Sequence, residues 1–321
     1  MPRGRLYEEG YQPRLSGHET FPLRYGWLKK AFDAVAEREG KGYERSVFLA
    51  DDSIARFGVG RNMVGSMRHW ATAVGVIADD GCKTTPLGRF LFDASGLDPY
   101  MEDPVTAWLV HWMLSGNPRN TTWYWAFSYY PAPTFDRDAL VRGIERLVKE
   151  HPGTRASPST IRNDVACFVR TYVGQPPSAK AGHEESLESP LAELGLIQPT
   201  GRRDGFRFVR GRKPTLGAGM VAFAVHEFWL GRSAVRPAST ARTLSFEALA
   251  HEPGSPGRVF ALDENALADL LLEIEQVSGG AYRWSETAGL KQLICEREVT
   301  PDEALQFVAL DAGQGQRRNA A

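Results

Sequence analysis

One pattern recurs along the chain and limits the folds that it can adopt. An amphipathic helix ends in a small apolar stretch, a short polar hairpin follows, and a Thr-(Pro)-Leu-Gly motif or a relative of it opens another apolar segment. The copies span Ala73–Phe92, Glu193–Trp229 and, in a weaker form, Ile274–Leu290. A helix that runs into a hairpin is the second half of a winged helix. The pattern therefore predicts several winged-helix-like modules in one chain.

The first copy also has the front half of such a module. Asp51-Asp52-Ser53 can cap a short helix that ends at Phe57, and Gly58-Val-Gly60 supplies a tight turn. Arg61–Val74 then has apolar residues at the 3.6-residue period of a helix. The opposite face is small, polar and basic, as contact with bases and phosphates requires. The residues predicted to contact DNA on this face are Arg61, Asn62, Ser66, Arg68 and His69.

The second copy offers a similar helix and a basic hairpin. Ser157 is a plausible N-cap with Pro158 at the first helical position, and Arg162 and Asn163 then face outward. A Pro-, Ser- and Glu-rich stretch, Gly174–Ser189, separates this helix from its hairpin. The hairpin's cations are Arg202, Arg203, Arg207, Arg210, Arg212 and Lys213, against the single acid Asp204. They are either a solvated loop or a phosphate-contacting element.

Charge is distributed unevenly along a chain that is almost neutral overall. The net charge is −1, from 38 Lys and Arg against 39 Asp and Glu. Residues 151–260 carry 14 basic and 9 acidic side chains, whereas residues 261–321 carry 5 basic and 11 acidic ones. The acidic helix predicted over Asp263–Val277 would repel phosphates, so the third copy is expected to be structural or to contact protein.

We therefore expect a mainly α-helical fold with small β-hairpins and multiple winged-helix-like modules. The predicted units are an N-terminal module (1–97), an aromatic-rich helical linker (98–150), a basic module (151–240) and an acidic module (241–321). The linker aromatics Trp108, Trp112, Trp123, Tyr124 and Trp125 should form packed core rather than a base-stacking surface. Neither a secretory signal nor a long apolar stretch occurs, so a cytoplasmic location is expected.

The densest group of reactive side chains lies near the N-terminus. His18-Glu19-Thr20 precedes Pro22 and should be extended or in a turn. Histidine can act as a general base near neutral pH, and glutamate as a base or a ligand of hard metals. We therefore predict that His18 and Glu19 are catalytic. We also predict that Glu19, Asp51 and Asp52 bind a Mg²⁺ or Mn²⁺ ion. A capping and hydrogen-bonding role for the His-Glu pair stays open. Phosphate-holding cations nearby are Arg24, Lys29 and Lys30.

These motifs together resemble a known bacterial family. The segments Ser16–Lys29 and Phe57–Trp70, with Thr85-Pro-Leu-Gly88, are similar to the SspB family of single-stranded DNA phosphorothioation systems. The resemblance implies a DNA-nicking endonuclease of an anti-phage, restriction-modification type of system. It also implies double-stranded DNA and three proteins as partners: a cysteine desulfurase, an ATPase and an ATP-pyrophosphatase-like sulfur-transfer protein. Sulfur then replaces a non-bridging phosphate oxygen within a short C-C-A context.

Two other functions are compatible with the same residues. A non-catalytic winged-helix adaptor would position DNA for a partner enzyme, with the acidic C-terminal region docking that partner. A transcriptional regulator would protect one operator as a dimer and need no metal. Residue chemistry alone does not rank these three functions, since the chain lacks a phosphate-binding loop, HExxH or GxSxG motif. The family resemblance favours the nicking enzyme.

Overall fold

A computed structural model describes residues 4–42, 45–154, 156–174, 189–202, 204–235, 242–287 and 289–313. Helices dominate, and the strands form two small three-stranded antiparallel sheets. The predicted fold class, mainly α with small β-hairpins, is confirmed. None of the helices in the described ranges is long and apolar enough to cross a lipid bilayer.

The N-terminal region contains four helices. They are α1 (Trp27–Ala36), α2 (Ser53–Phe57), α3 (Arg61–Val74) and α4 (Pro86–Phe92). Helix α3 has the predicted bounds and ends where Gly75 takes a left-handed conformation with φ 86°. The hairpin after it is reduced to one bridge between Ile77 and Thr84. Thr85 then caps α4 by accepting a hydrogen bond from the Gly88 N–H at 3.0 Å.

Two apolar helices follow, α5 (Pro104–Ser115) and α6 (Thr121–Ser128). Helix α6 is buried along its whole length, and the residues of α5 are buried on nearly every face. The five linker aromatics named above are all under 8% exposed. The prediction that they are core is confirmed, because a helix that is apolar all round must be surrounded by protein.

The first sheet belongs to the basic region. Its elements are β1 (Thr134–Asp136), α7 (Arg137–Lys149), α8 (Pro158–Tyr172), β2 (Ile197–Pro199) and β3 (Gly205–Phe208). The strand order is β1-β3-β2, so the first strand lies beside the last. From α6 onward the elements run helix–strand–helix–helix–hairpin, and the winged-helix assignment of this unit stays a prediction. The unit boundary predicted at residue 150 falls between β1 and the two strands that complete its sheet.

The second sheet lies in the C-terminal region and has the same strand arrangement, with four helices between its first strand and its hairpin. The elements are α9 (Ala218–Val235), β4 (Thr243–Ser245), α10 (Phe246–His251), α11 (Pro256–Val259), α12 (Glu264–Leu272), α13 (Ile274–Val277), β5 (Tyr282–Thr287), β6 (Leu290–Cys295) and α14 (Pro301–Ala309). The strand order β4-β6-β5 again brings the first strand beside the last. The acidic helix expected over 263–277 is present as α12 and α13, with Asp263 capping α12.

A single apolar core runs through these regions. Buried hydrogen bonds cross it: His111 on α5 bonds through Nε2 to the Val259 carbonyl oxygen at 2.8 Å. Asp311, just after α14, accepts from the N–H of Gly219 and Met220 at the start of α9. The regions are therefore packed together rather than joined by a flexible connection.

Candidate nucleic-acid interface

The segment Ser16–Thr20, which we call the HET loop, has an unusual backbone. Ser16, Glu19 and Thr20 have φ values of 76°, 48° and 66°, and Gly17 has φ 96°. Residues other than glycine rarely adopt positive φ values, and each one that does so lowers the stability of the fold by about 1–3 kcal/mol. Strain of this kind persists only where the surrounding structure holds the backbone, and it is concentrated at functional sites.

A buried carboxylate on α8 holds the HET loop. Asp164 is 2% exposed. One of its oxygens accepts hydrogen bonds from the Ser16 N–H and from His18 Nε2, both at 2.8 Å. The other oxygen accepts a short bond from the Thr122 hydroxyl. Hydrogen bonds to a charged acceptor are the strong ones, so this group fixes the loop on α8.

His18 uses both ring nitrogens to shape the loop. Nε2 faces Asp164, while Nδ1 accepts from the Thr20 N–H at 3.0 Å, which places the ring proton on Nε2. The ring is 2% exposed and lies against Trp70 and Trp123. This arrangement matches the hydrogen-bonding alternative for the His-Glu pair; catalysis by His18 stays a prediction.

The HET loop also lies directly on α3. A Cβ added to Gly17 would come within 2.5 Å of His69 Nδ1, so only glycine fits there. One turn earlier, a Cβ on Gly65 would be 3.6 Å from Cγ of Glu19. On the other side, Arg170 of α8 donates a short hydrogen bond to the Thr20 carbonyl. The loop thus bridges α3 and α8.

The exposed side chains around this bridge are polar and basic. Glu19 is exposed at the tip of the loop, Arg61 and Asn62 are exposed at the start of α3, and Arg162 and Asn163 are exposed in α8. Both helices therefore present an Arg-Asn pair to solvent. Lys30 is exposed as well, whereas Lys29 forms an ion pair with Asp33 on the same helix, N–O 2.5 Å.

Three residues predicted to contact DNA are buried instead. Ser66 is 0% exposed, so it belongs to the core side of α3. Arg24 is 4% exposed, and its guanidinium lies over the rings of Phe21 and Trp27. Lys213 is 7% exposed and donates to the Val209 carbonyl at 2.6 Å; burial lowers its pKa to about 8. Helical periodicity and local charge do not reveal which segments cover a face.

Two further residues of α3 are partly covered. Arg68 reaches the Asp80 carbonyl in the first hairpin, at 3.4 Å, so its guanidinium is turned toward that hairpin. His69 sits under the HET loop, where burial, reinforced by the neighbouring His18, lowers its pKa to about 4. At neutral pH His69 is therefore uncharged and cannot attract a phosphate as a cation.

The basic hairpin is exposed along much of its length. Arg202, Arg207, Arg210 and Arg212 are all exposed, while Arg203 lies outside the described residues. Arg207 donates to Gln198 across the strands at 2.9 Å, and Asp204 pairs with Arg137 of α7. The hairpin thus keeps several cations at the surface of the module that contains α8.

The carboxylates predicted to hold a metal do not form a ready-made site. Asp52 is engaged by Arg38 and Arg56 at 3.5 and 3.7 Å, and Asp51 is exposed beside it. Within the described ranges, no group of three or more His, Cys, Asp or Glu side chains is arranged to bind a metal ion. Only Glu19 of the predicted three carboxylates belongs to the HET loop.

Sequence reasoning missed Asp164, although a signal was present. Asp164 lies three residues after Ile161 and four before Phe168, on the buried face of α8. A carboxylate on the apolar face of a helix requires buried donors. Its partners come from segments about 40 and 150 residues away, and the sequence does not identify them.

Behind the HET loop lies a small polar cavity of about 180 Å³. Its walls include His18, His69, Asp164, Asn117 and Arg119. The cavity lies on the inner side of the loop. The residues that hold the loop therefore also border a space large enough for a few water molecules.

The fold and this bridge define a mainly α-helical protein with two small antiparallel sheets and a strained loop fixed between two polar helix faces. The family model "Protein of unknown function (DUF4007)" matches residues 15–308, and the chain belongs to this family. It is also similar, at 30% identity, to two solved structures, "Magnesium ion-bound SspB crystal structure" and "SspB crystal structure". The TM-scores are 0.78 and 0.76, with 99% of this chain and 92% of each SspB chain covered. No curated protein matches the sequence.

Proposed function

We propose that this protein is a DNA-binding, DNA-nicking component of a bacterial DNA phosphorothioation system, as its relationship to SspB suggests. One observation carries the proposal. The strained HET loop exposes Glu19 between two helices, α3 and α8, and each helix presents an Arg-Asn pair to solvent. Its partners under this proposal are double-stranded DNA and the cysteine desulfurase, ATPase and sulfur-transfer protein of the same system.

The two helix faces carry the groups that DNA binding needs. Arginine contacts phosphates and the edge of guanine, and asparagine pairs with the edge of adenine in the major groove. The exposed arginines of the basic hairpin add phosphate contacts beside α8. Neutralised phosphates release counterions, so binding should weaken steeply as salt is raised.

Glu19 is the residue best placed for chemistry. Its carboxylate is exposed, whereas the imidazole of His18 is buried and committed to Asp164 and Thr20. In a nicking reaction, a water oxygen bonds to phosphorus, one P–O ester bond breaks, and the departing oxygen is protonated from solvent. We assign Glu19 to accept the proton of the attacking water. His18 and Asp164 act as positioning residues that hold Glu19 in its strained conformation.

A divalent cation forms part of the proposal. One SspB structure is described as bound to magnesium ion. Mg²⁺ is commonly held by one or two carboxylates together with substrate phosphates and water. Glu19 fits this pattern as a single carboxylate, whereas Asp52, in its ion pairs with Arg38 and Arg56, does not.

Nicking of supercoiled plasmid tests the proposal. Purified protein with Mg²⁺ or Mn²⁺ should convert supercoiled plasmid into open circles, and EDTA should stop the reaction. Glu19→Gln should lower the rate at least about 100-fold, in the range of general-base catalysis. The matched control is Glu102→Gln, an exposed carboxylate after the first hairpin region, which should nick normally.

The outcomes separate the candidate functions. Full nicking by a His18→Ala/Glu19→Ala double variant would remove both residues from the mechanism. Tight, salt-sensitive DNA binding without any nicking by homogeneous protein would instead support the adaptor. Absence of both binding and nicking would overturn the proposed function.

A further inference from the structure

A second, larger cavity borders the one behind the HET loop and shares Asn117 and Arg119 with it. Its volume is about 420 Å³, which is within the range of small-molecule sites. It is bounded by the N-terminal segment around Arg5 and Glu8, the end of α5 at Trp112, and α9 at Glu227 and Phe228. The segment 252–254 closes the remaining side.

The charged side chains around this cavity are only partly paired. Of its three arginines, Arg119 pairs with Asp79 at 2.7 Å and Arg232 pairs with Glu252. Arg5, Glu8 and Glu227 remain, and their side chains make no hydrogen bond or ion pair within the described part of the chain. The lining contains three arginines and three glutamates in all, and the groups left without a partner among the described residues are two carboxylates and one guanidinium.

Glu227 is the clearest of these unpaired groups. It lies on α9 one turn before Gly231, where a Cβ would come within 2.7 Å of Arg5 Nη1. Burial raises the pKa of its carboxyl, with no opposing effect from a nearby cation. A partly buried carboxylate without a partner loses solvation without compensation, so a bound cation would stabilise it.

The lining also contains a hydroxyl without a hydrogen-bond partner within the described ranges. Tyr124 on α6 is 1% exposed, and its hydroxyl has no hydrogen-bond partner among the described residues. The hydroxyl points at Gly254, where a Cβ would be only 2.6 Å away. Buried hydroxyls are nearly always hydrogen-bonded, so an unpaired one at a cavity wall indicates a missing partner, and its oxygen can accept a hydrogen bond from an ammonium group. Trp112, Met113 and Phe228 complete the lining with apolar surface.

We propose that this cavity binds a small molecule with an amino group, protonated to ammonium, on an apolar or aromatic body. Glu227 is the counter-ion of the ammonium, and the body lies against Trp112 and Phe228. The unpaired carboxylates of Glu8 and Glu227 disfavour nucleotides and other anions of the same size. This site does not depend on the proposed nicking function, because none of its residues belongs to the HET loop.

Three probes with one shared body test the charge preference. Phenethylamine, 2-phenylethanol and phenylacetate differ in their head groups, and their binding to the full chain can be measured by saturation-transfer NMR. Phenethylamine should bind at least about tenfold more tightly than the other two. Equal binding of all three, tighter binding of phenylacetate, or tighter binding of AMP would overturn the proposal.

Two variants locate the site. Glu227→Gln keeps the size of the side chain and removes its charge, so it should weaken phenethylamine binding about tenfold or more while leaving 2-phenylethanol unchanged. Glu275→Gln, an exposed carboxylate on α13, is the matched control and should bind as the parent does. Unchanged phenethylamine binding in a folded Glu227→Gln protein would place the amine elsewhere. Plasmid nicking is measured separately and does not enter this comparison.

Discussion

At the residue scale, a few buried polar groups hold the backbone against its own preferences. Asp164 receives three donors, one from Thr122 and two from the HET loop. Thr20 and Glu19 would not keep positive φ values without such support. Glu19, the proposed catalytic group, is therefore held in place by the buried residues His18 and Asp164.

Replacing Asp164 by Asn tests this anchoring. The amide has one acceptor oxygen in place of two, so at least one buried donor loses its partner. We expect unfolding free energy to fall by about 2–4 kcal/mol, measured by urea denaturation. Asp33→Asn is the control: Asp33 is in an exposed pair with Lys29 and should cost under about 1 kcal/mol. Equal losses in both variants would contradict the anchoring role.

His111 gives a prediction about pH. It is fully buried, and burial lowers its pKa to about 3, against 6.5 as the ordinary value. Between these values the unfolded chain binds a proton that the folded protein does not. The neutral, buried His111 therefore contributes its full share to the free energy of unfolding above pH 6.5. As the pH falls from 6.5 toward 3, this share is lost at up to about 1.4 kcal/mol per pH unit.

The measurement is urea denaturation at several pH values between 7 and 4.5. His111→Asn should be less stable at pH 7, because the bonds to Tyr172 and Val259 are disturbed. Its stability should also fall less steeply with acid than that of the parent. Parallel curves for the two proteins would show that His111 does not take part in this linkage.

At the scale of elements, the helices follow the sequence closely and the sheets do not. Helix α3 has its predicted bounds because periodicity, a glycine turn and Gly75 all act locally. Strand β1 is three residues long, and its pairing with β3 joins positions about 70 residues apart. No local sequence pattern distinguishes so short a strand from a turn. From the sequence alone, these three residues therefore belong to the predicted linker.

The paired helix faces make a prediction about DNA binding. Arg61→Gln on α3 and Arg162→Gln on α8 should each weaken binding to duplex DNA and reduce the salt dependence, log K against log salt, by about one unit. Fluorescence anisotropy over a salt series gives both values. Arg283→Gln, on β5 and paired with Glu296, is the control and should leave the slope unchanged. An effect from only one of the two helices would contradict a shared interface.

In the whole molecule, the predicted units pack against one another and share hydrogen bonds. Trp70 of α3 packs against Trp123 of α6 with ring centroids 5.4 Å apart. His18 depends on Asp164, which lies outside the unit predicted over residues 1–97. Segments after residue 97 therefore supply part of the core of the N-terminal unit and the hydrogen bonds that hold its HET loop.

A fragment of residues 1–97 should consequently fail to form a fixed structure. It should keep helical circular dichroism but show poor amide dispersion by NMR, as expected when specific packing is lost. Mixing it with residues 98–321 should restore dispersion if the two parts fold together. A well-dispersed spectrum from residues 1–97 alone would show that this unit is independent.

Local sequence patterns predicted α3, α8, the acidic helix, the Ser157 cap, the aromatic core and the excess of cations near one hairpin, because periodicity, capping and charge are local properties. The predicted side-chain cap of α2 by Asp51-Asp52-Ser53 was wrong, since Asp52 precedes that helix without capping it. The sequence also carried the family resemblance and pointed to the HET loop. Tertiary structure decided which polar residues are accessible: it buried Ser66, Arg24 and Lys213 and exposed Glu19. It also supplied Asp164 to the loop. The burial of a residue and its hydrogen-bond partners depend on segments distant in the chain, and no local pattern encodes contacts such as that between Asp164 and the HET loop.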